Sequence, residues 1–416
     1  MSLAEGVSAR ITYKKYATGV ITPNAQPAPA TDPGATGAQI LRRVSSTIKL
    51  AKDTYQSAEI RSDRQIGDFR HGTRRVTGSI SGEYSPKTYA DFLEAAFRGA
   101  WEAAVTGDET TYTSVAADNA TSKFTFTAGD PVTAGFRVGQ VMRFTNLSEA
   151  TNNGKNFVIL SFGGTSNREV TVYPAPTDMT ADTDFDVTSV GKRLIVPSSG
   201  FTSRKFGIEV YNEDIDVARL FTECRIGGFT LQLPATGLGT IEIPVMGRDE
   251  VPFSGASAPF FTTPTAETTT GIFAAVNGLI QVNGTTRGVV TGLNVQMDLS
   301  PSSDAVVGQN FVPEIFLGRA NVTGQLTAMF EDVDLINNFV DEDEISILAY
   351  LTTSNDDAPA ANTIFLPRVK FSDADPQTQG EGGQTITLPF QALKYGGSTA
   401  GVDQTTIQIV DTEIAA

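Results

Sequence analysis

One histidine and one cysteine in 416 residues close off most routes to catalysis before any fold is considered. Cys224 has no partner for an internal disulfide and cannot build a cysteine metal site. His71 rules out paired-histidine metal chemistry, and any Ser/His/Asp triad would have to use it. It lies among Arg70, Arg74 and Arg75, and no Gly-x-Ser-x-Gly elbow occurs, so a solvated histidine before a strand is the expectation. The three arginines read as a solvated loop or an intersubunit ion pair rather than a phosphate site. Asp341, Glu342, Asp343 and Glu344 lack EF-hand spacing and read as a solvated turn after a helix. Asp332 with Asp334 reads as a helix cap and its neighbour, not an acid/base pair. Asn119, Asn146, Asn283 and Asn321 match the glycosylation pattern, but Met1 to Arg10 has no basic start leading into an apolar stretch, so export and modification are not expected. No catalytic, cofactor or metal residue is assigned, and no enzyme activity is expected.

Charge adds a further exclusion. The chain carries 31 Lys and Arg against 47 Asp and Glu, a net −16. From Leu279 onward there are 5 basic and 18 acidic residues. Phosphate contacts need Lys and Arg, so such a surface repels nucleic acid rather than gripping it. No apolar run approaches the roughly 20 residues of a membrane helix, and no membrane partner is expected.

What these residues sit on is a repeat. Val44 to Tyr84 lies on Val290 to Phe330 at a shift of 246, with Gly72 on Gly318 and Val76-Thr77-Gly78 on Val322-Thr323-Gly324. Thr240 to Val245 resembles Thr385 to Phe390 at a shift of 145, so the first copy carries extra residues between its matched blocks. Alternating apolar residues, 39 glycines and abundant Thr and Ser predict a mainly β chain. After each matched block a helix is expected. Ser85 caps the first, Pro86 enters its first turn, and Tyr89, Phe92, Leu93 and Ala96 make one stripe. Asp332 caps the second, with Leu335, Ile336, Phe339 and Val340 as its stripe.

The expected division is 1–100 with 201–250 as a first, discontinuous unit, 101–200 as an inserted small β-barrel or sandwich, 251–270 as a linker, and 271–416 as a second unit. Runs at Phe124 to Phe126, Phe136 to Phe144, Asn156 to Phe162, Glu169 to Tyr173 and Phe185 to Val187 give the insertion five short strands. Pro23 to Gly37 reads as an extended arm, and Phe253, Phe260 and Phe261 make the linker a segment that docks. Asn283-Gly284 marks a hairpin.

The arrangement of long paired strands with an intervening loop (Val44 to Tyr84), a short helix (Ser85 to Arg98) and strands ending in Thr-Ile-x-Ile/Leu-Pro, present twice over about three quarters of the chain, resembles the tail tube proteins of long-tailed bacteriophages. The resemblance implies two fused β-sandwich/barrel units, each with one helix, plus an inserted domain on the outside. It implies a structural virion protein that forms stacked rings of six units, three chains to a ring, as a conduit for genome ejection. The partners it implies are further copies of itself, a tape-measure protein inside, terminator and tail-tip proteins at the ends, and duplex DNA in transit without tight binding. The location implied is the virion tail, assembled in the host cytoplasm. Four inner strands per unit, at ~4.8 Å spacing and ~40° tilt, give six units a diameter of about 48 Å and an opening of about 38 Å; three units would leave about 14 Å, too narrow for a duplex. A net negative lumen, fed more by the second copy, is expected. The insertion, if external, should be removable behind a short Gly/Ser bridge. The alternatives are a β-sandwich adhesin or carbohydrate-binding module, and a distal or tube-terminating ring protein.

Overall fold

The computed structural model describes residues 3–17, 32–274, 277–287, 289–331, 333–377 and 382–415. It is mainly β, with two large sheeted regions and a few short helices. The first set of strands is β1 (Ala9–Lys15), β2 (Lys49–Gln56), β3 (Phe69–Glu83), helix α1 (Ala90–Phe97), β4 (Phe206–Asn212), β5 (Val217–Ile226), β6 (Gly228–Pro234), β7 (Thr240–Gly247) and β8 (Asp249–Ser254). The second is β9 (Gly278–Val282), β10 (Val290–Asp298), β11 (Asn321–Met329), helix α2 (Asp334–Val340), β12 (Ile345–Thr352), β13 (Ala361–Phe371), β14 (Asp375–Gln377), β15 (Thr385–Ala392) and β16 (Gln408–Asp411).

The two sets share their pairing register. Glu83 faces Thr240 and Val76 faces Gly247 between β3 and β7, while Met329 faces Thr385 and Val322 faces Ala392 between β11 and β15. A β-bulge recurs at one place: Phe206 opposite Cys224 then Ile208 opposite Phe221, and Ile345 opposite Val369 then Ile347 opposite Leu366. A one-residue slip would turn an apolar face to water, so burial holds each register fixed. In each set one sheet runs β1-β4-β5-β8 (β9-β12-β13-β16) and another runs β2-β3-β7-β6 (β10-β11-β15-β14), with β5 and β13 bending through both. Gly78 and Gly324 occupy matching positions for a steric reason. A Cβ at Gly78 would stand 2.6 Å from the Ile48 Cα, and one at Gly324 would stand 2.2 Å from the Asn294 carbonyl oxygen.

The ungapped match fails at one point. Val290 faces Ala328, but from Gly292 the partners step by one residue at a bulge, so Gln296, not Val295, stands where Lys49 stands in the first set. Apolar contact explains the step, because it turns Val295 and Met297 into the core as Ile48 and Leu50 are turned.

The first helix also differs from expectation. Lys87 has φ of 66°, a left-handed conformation that no α-helix passes through, so Ser85 does not cap. Its hydroxyl meets the Thr88 hydroxyl at 2.7 Å, and the helix starts at Ala90. The expected stripe is buried: Tyr89, Phe92, Leu93 and Ala96 are all within 2% of complete burial. Phe97 stacks on Phe229 of β6 at 6.0 Å. In α2 only Leu335 is buried; Phe339 and Val340 are 36% and 66% exposed, contrary to the expected stripe, and Asp332 lies outside the described residues.

The insertion has all five expected strand runs, the second confined to Val141–Thr145, together with Thr106–Asp108, Val115–Asp118 and Met179–Asp182. Its eight strands form one antiparallel sheet wrapped on an aromatic core, and no pairing closes its two end strands among the described residues. It is firmly seated on the second set. Val141 and Val158 bury against Leu279, Tyr350 and Ala361; Gln408 donates to the Val138 carbonyl at 2.7 Å; the exit strand Lys192–Ile195 pairs with β16. A Gly/Ser bridge in its place would therefore uncover apolar surface on β9, β12 and β13. The passage after Asp249 begins as β8 and then docks on the first set. Phe260 and Phe261 pack on Leu220, and their N–H groups donate to the buried Glu209 carboxylate at 2.6 and 3.3 Å. Of the arm, residues 18–31 lie outside the described residues. Asn283 and Gly284 make the expected hairpin turn, with φ of 52° and 74°.

Asp411 on β16 ties the second set to the turn before α1, accepting from the Lys87 N–H at 2.7 Å and the Glu413 N–H at 2.9 Å. Burial pushes its pKa from 3.8 up to about 6. The folded chain thus holds this proton more tightly than the unfolded chain. Its stabilising effect is full below about pH 4 and is lost as pH rises through about 6. In thermal unfolding from pH 4 to 7, wild type is expected to lose stability relative to Asp411→Asn, by up to about 3 kcal/mol. Parallel curves would contradict this.

Candidate assembly interface

The two sets meet through backbone. β6 pairs antiparallel with β10 from Gly228 opposite Asp298 to Pro234 opposite Gly292, so one sheet runs β2-β3-β7-β6-β10-β11-β15-β14 across the chain. Phe229, Leu231, Val295 and Met297 alternate into the core, while Thr230, Gln232, Asn294 and Gln296 take the opposite face. Among the described residues β2 and β14 pair on one side only. They are the two free edges of this sheet.

A second contact is made by the loop between β10 and β11, which folds back onto the first set. The Arg74 N–H donates to the Asn310 carbonyl at 2.9 Å, and Val312 and Ile315 are buried. Glu314 bridges two cations of the first set, Arg225 Nη2 at 2.8 Å and Lys205 Nζ at 3.3 Å. Behind it, Glu223 is fully buried, 2.8 Å from Arg248 and 3.7 Å from Lys205, and the Arg248 guanidinium lies 4.5 Å from the Phe311 ring centre. Burial pushes the Glu223 pKa up, against the opposing pull of Arg248, and pushes those of Lys205 and Arg225 down. Desolvation on that scale is tolerable only while partners stay in place. None of these five ionic residues was singled out from sequence, because they lie far apart in the chain and each resembles a surface charge.

A third contact covers Tyr84. The Phe273 ring stands 5.1 Å from it, and the Phe273 N–H donates to the Tyr84 carbonyl at 2.9 Å. The matching residue of the second set, Phe330, is 37% exposed.

The residues whose types could do chemistry are spread over the surface or already paired. His71 is exposed on β3 with its ring 5.4 Å from Phe69. Arg70 pairs with Asp68, Arg74 with Asp249 and Arg75 with Asp53, at 2.7, 2.7 and 3.3 Å. Cys224 is buried and its thiol is pushed far up by desolvation. Asp341, Glu342 and Asp343 are exposed, and Glu344 binds Arg368 and Lys370. Asp334 pairs with Arg287 at 3.2 Å. Asn119 donates to the Pro176 carbonyl and Asn146 to Asp186; Asn321 opens β11. Among the described residues no cluster of three or more His, Cys, Asp or Glu is arranged to hold a metal ion.

Among the described residues the geometry is a continuous sheet with two free edges, held together by contacts between its two strand sets. A family model described as "Phage tail tube protein" matches residues 6–203 and 188–392, and the chain belongs to that family. It is a structural protein of the phage tail-tube family. No curated protein matches the chain.

Counting back from the shared Val76 and Val322, Asp68 is the counterpart of Glu314. In the isolated chain Glu314→Ala is expected to cost about 3 kcal/mol, since it takes the carboxylate from Arg225 and leaves Lys205 only the longer contact with Glu223, whereas Asp68→Ala should change stability by less than about 0.5 kcal/mol. Urea unfolding of both variants checks this; equal costs would show that the loop contact carries little.

Proposed function

We propose that three chains close a ring of six strand sets, that rings stack into the tail tube, and that the closed sheet is the wall through which the genome passes. The observation that carries this reading is the β6–β10 junction together with the two free edges. β14 is the counterpart of β6, since Asp375 faces Thr387 as Thr230 faces Glu242. β2 is the counterpart of β10, since Lys49 faces Thr77 as Gln296 faces Thr323. Joining β14 of one chain to β2 of the next repeats the internal junction and sets Asp375 opposite Lys49, a favourable charge pair where the internal junction has Thr230 and Gln296. Closure removes both edges, which otherwise invite uncontrolled pairing. Four strands per set fit six sets to a duplex-sized opening of about 38 Å.

In this reading the division of the chain is 1–100 with 201–250, an insertion at 101–200, a linker at 251–270 and a second unit at 271–416. The face away from the core becomes the lumen. Its strands carry mostly Thr, Ser, Asn and Gln. Glu83, Glu242, Asp298 and Asp375 stand against Lys49, while Arg75 is tied to Asp53 and Lys370 to Glu344. A sparse negative wall keeps phosphates from settling. A tape-measure protein inside, terminator and tip proteins at the ends, and assembly in the host cytoplasm complete the proposed setting.

Negative-stain microscopy with light scattering tests it. Rings with the mass of three 44.2 kDa chains, or tubes built from them, are expected. A protein that stays monomeric at every concentration and salt would refute it.

A further inference from the structure

Among the described residues the hairpin loop 57–68 between β2 and β3 has no seat, although its counterpart does. Val312 and Ile315, in the β10–β11 loop, are each 1% exposed. Their counterparts Ile66 and Phe69 are 66% and 56% exposed, and Ile60 at the tip is fully exposed. Apolar side chains concentrated on one projecting loop mark a contact surface rather than random surface composition.

The seat that would receive this loop exists on the second set and is open. Arg225, which faces Met246, corresponds to Lys370, which faces Gln391. Lys205 and Glu223, just ahead of the matched bulge residues Phe206 and Cys224, correspond to Glu344 and Arg368, just ahead of Ile345 and Val369. In the first set, covered by the chain's own loop, the Lys205 and Arg225 side chains are 1% and 12% exposed. In the second set, Glu344, Arg368 and Lys370 are 44%, 33% and 38% exposed. Charge is kept at one position and swapped as a pair at the other two: Glu314 on Arg225 inside the chain becomes Asp68 on Lys370, while Lys205 with Glu223 becomes Glu344 with Arg368, the Glu344 carboxylate being held by that arginine.

We infer that loop 57–68 of each chain docks on the second set of the neighbouring chain in the same ring, with Asp68 bound to Lys370 and Ile66 and Phe69 buried. This rests on the ring reading above and goes beyond it by naming the occupant of the open seat. The loop acts as a clasp across the seam between chains, beside the β14–β2 pairing. Asp68 already lies 2.7 Å from the Arg70 side chain, so the docked carboxylate would stand between two cations as Glu314 does.

The test uses the full chain under conditions where wild type forms rings, observed by microscopy before tubes grow. Asp68→Cys with Lys370→Cys, treated with a short bis-maleimide, is expected to give cross-linked species of two and three chains, and Asp68→Cys alone is not. In a separate pair, Asp68→Lys and Lys370→Glu should each raise the concentration needed for ring formation about tenfold, while the double reversal restores it to within about threefold. Circular dichroism and thermal unfolding of the unassembled variants separate a lost contact from a lost fold. Rings that form normally with no multi-chain cross-link and no response to charge reversal overturn the clasp and leave the ring standing. A loop that engages a stacked ring instead produces that same result. If wild type forms no ring, the ring reading fails and this inference fails with it.

Discussion

Backbone pairing between β6 and β10 is the constraint on which the rest of the molecule depends. It fuses two strand sets into one sheet, and a sheet so extended must leave an edge at each end. The core beneath is a single cluster running from Ile11 through Phe229 and Val295 to Ile409, so the two sets share one core rather than sitting as separate beads. A solid of fixed curvature is what a closed wall needs, because each junction must deliver the next edge in register.

The two sets are alike in register and unlike in cover. Leu93 is buried where its counterpart Phe339 is exposed, and Tyr84 is covered where Phe330 is not. The loop of the second set is seated and that of the first is free. Two of these differences have one sense: Phe273 and the β10–β11 loop of the second set cover Tyr84 and the Lys205–Arg225 pair of the first, while the equivalent surfaces of the second set lie open. In the proposed ring, this burial asymmetry between equivalent residues marks the place of the next chain. The insertion covers a different region of the second set, the outer sheet of β9, β12 and β13, and leaves the clasp seat at Glu344, Arg368 and Lys370 open.

The repeat was legible in sequence because strand burial imposes a period of two and because a crowded crossing demands glycine at 78 and 324. Helix stripes were legible for the same reason, at least for Tyr89 to Ala96. The start of α1 was not, since nothing in Ser85-Pro86-Lys87 announces that Lys87 will adopt a positive φ. The bulge after Val290 was hidden because an ungapped match still aligns both ends of the segment. Docking of the insertion had a signal that went unread: Val141-Met142 and Phe157-Val158-Ile159-Leu160 are apolar on both faces, as strands buried twice must be. The ionic cluster around Glu223 had none, for its members come together only through tertiary structure.

A density map of the assembled ring, at a resolution that traces strands, tests the central claim most directly. Three chains and an unbroken sheet are expected, with β14 of each chain antiparallel to β2 of the next and Asp375 across from Lys49. Chains that meet through their helices or insertions, with the β2 edge left facing solvent, would contradict it.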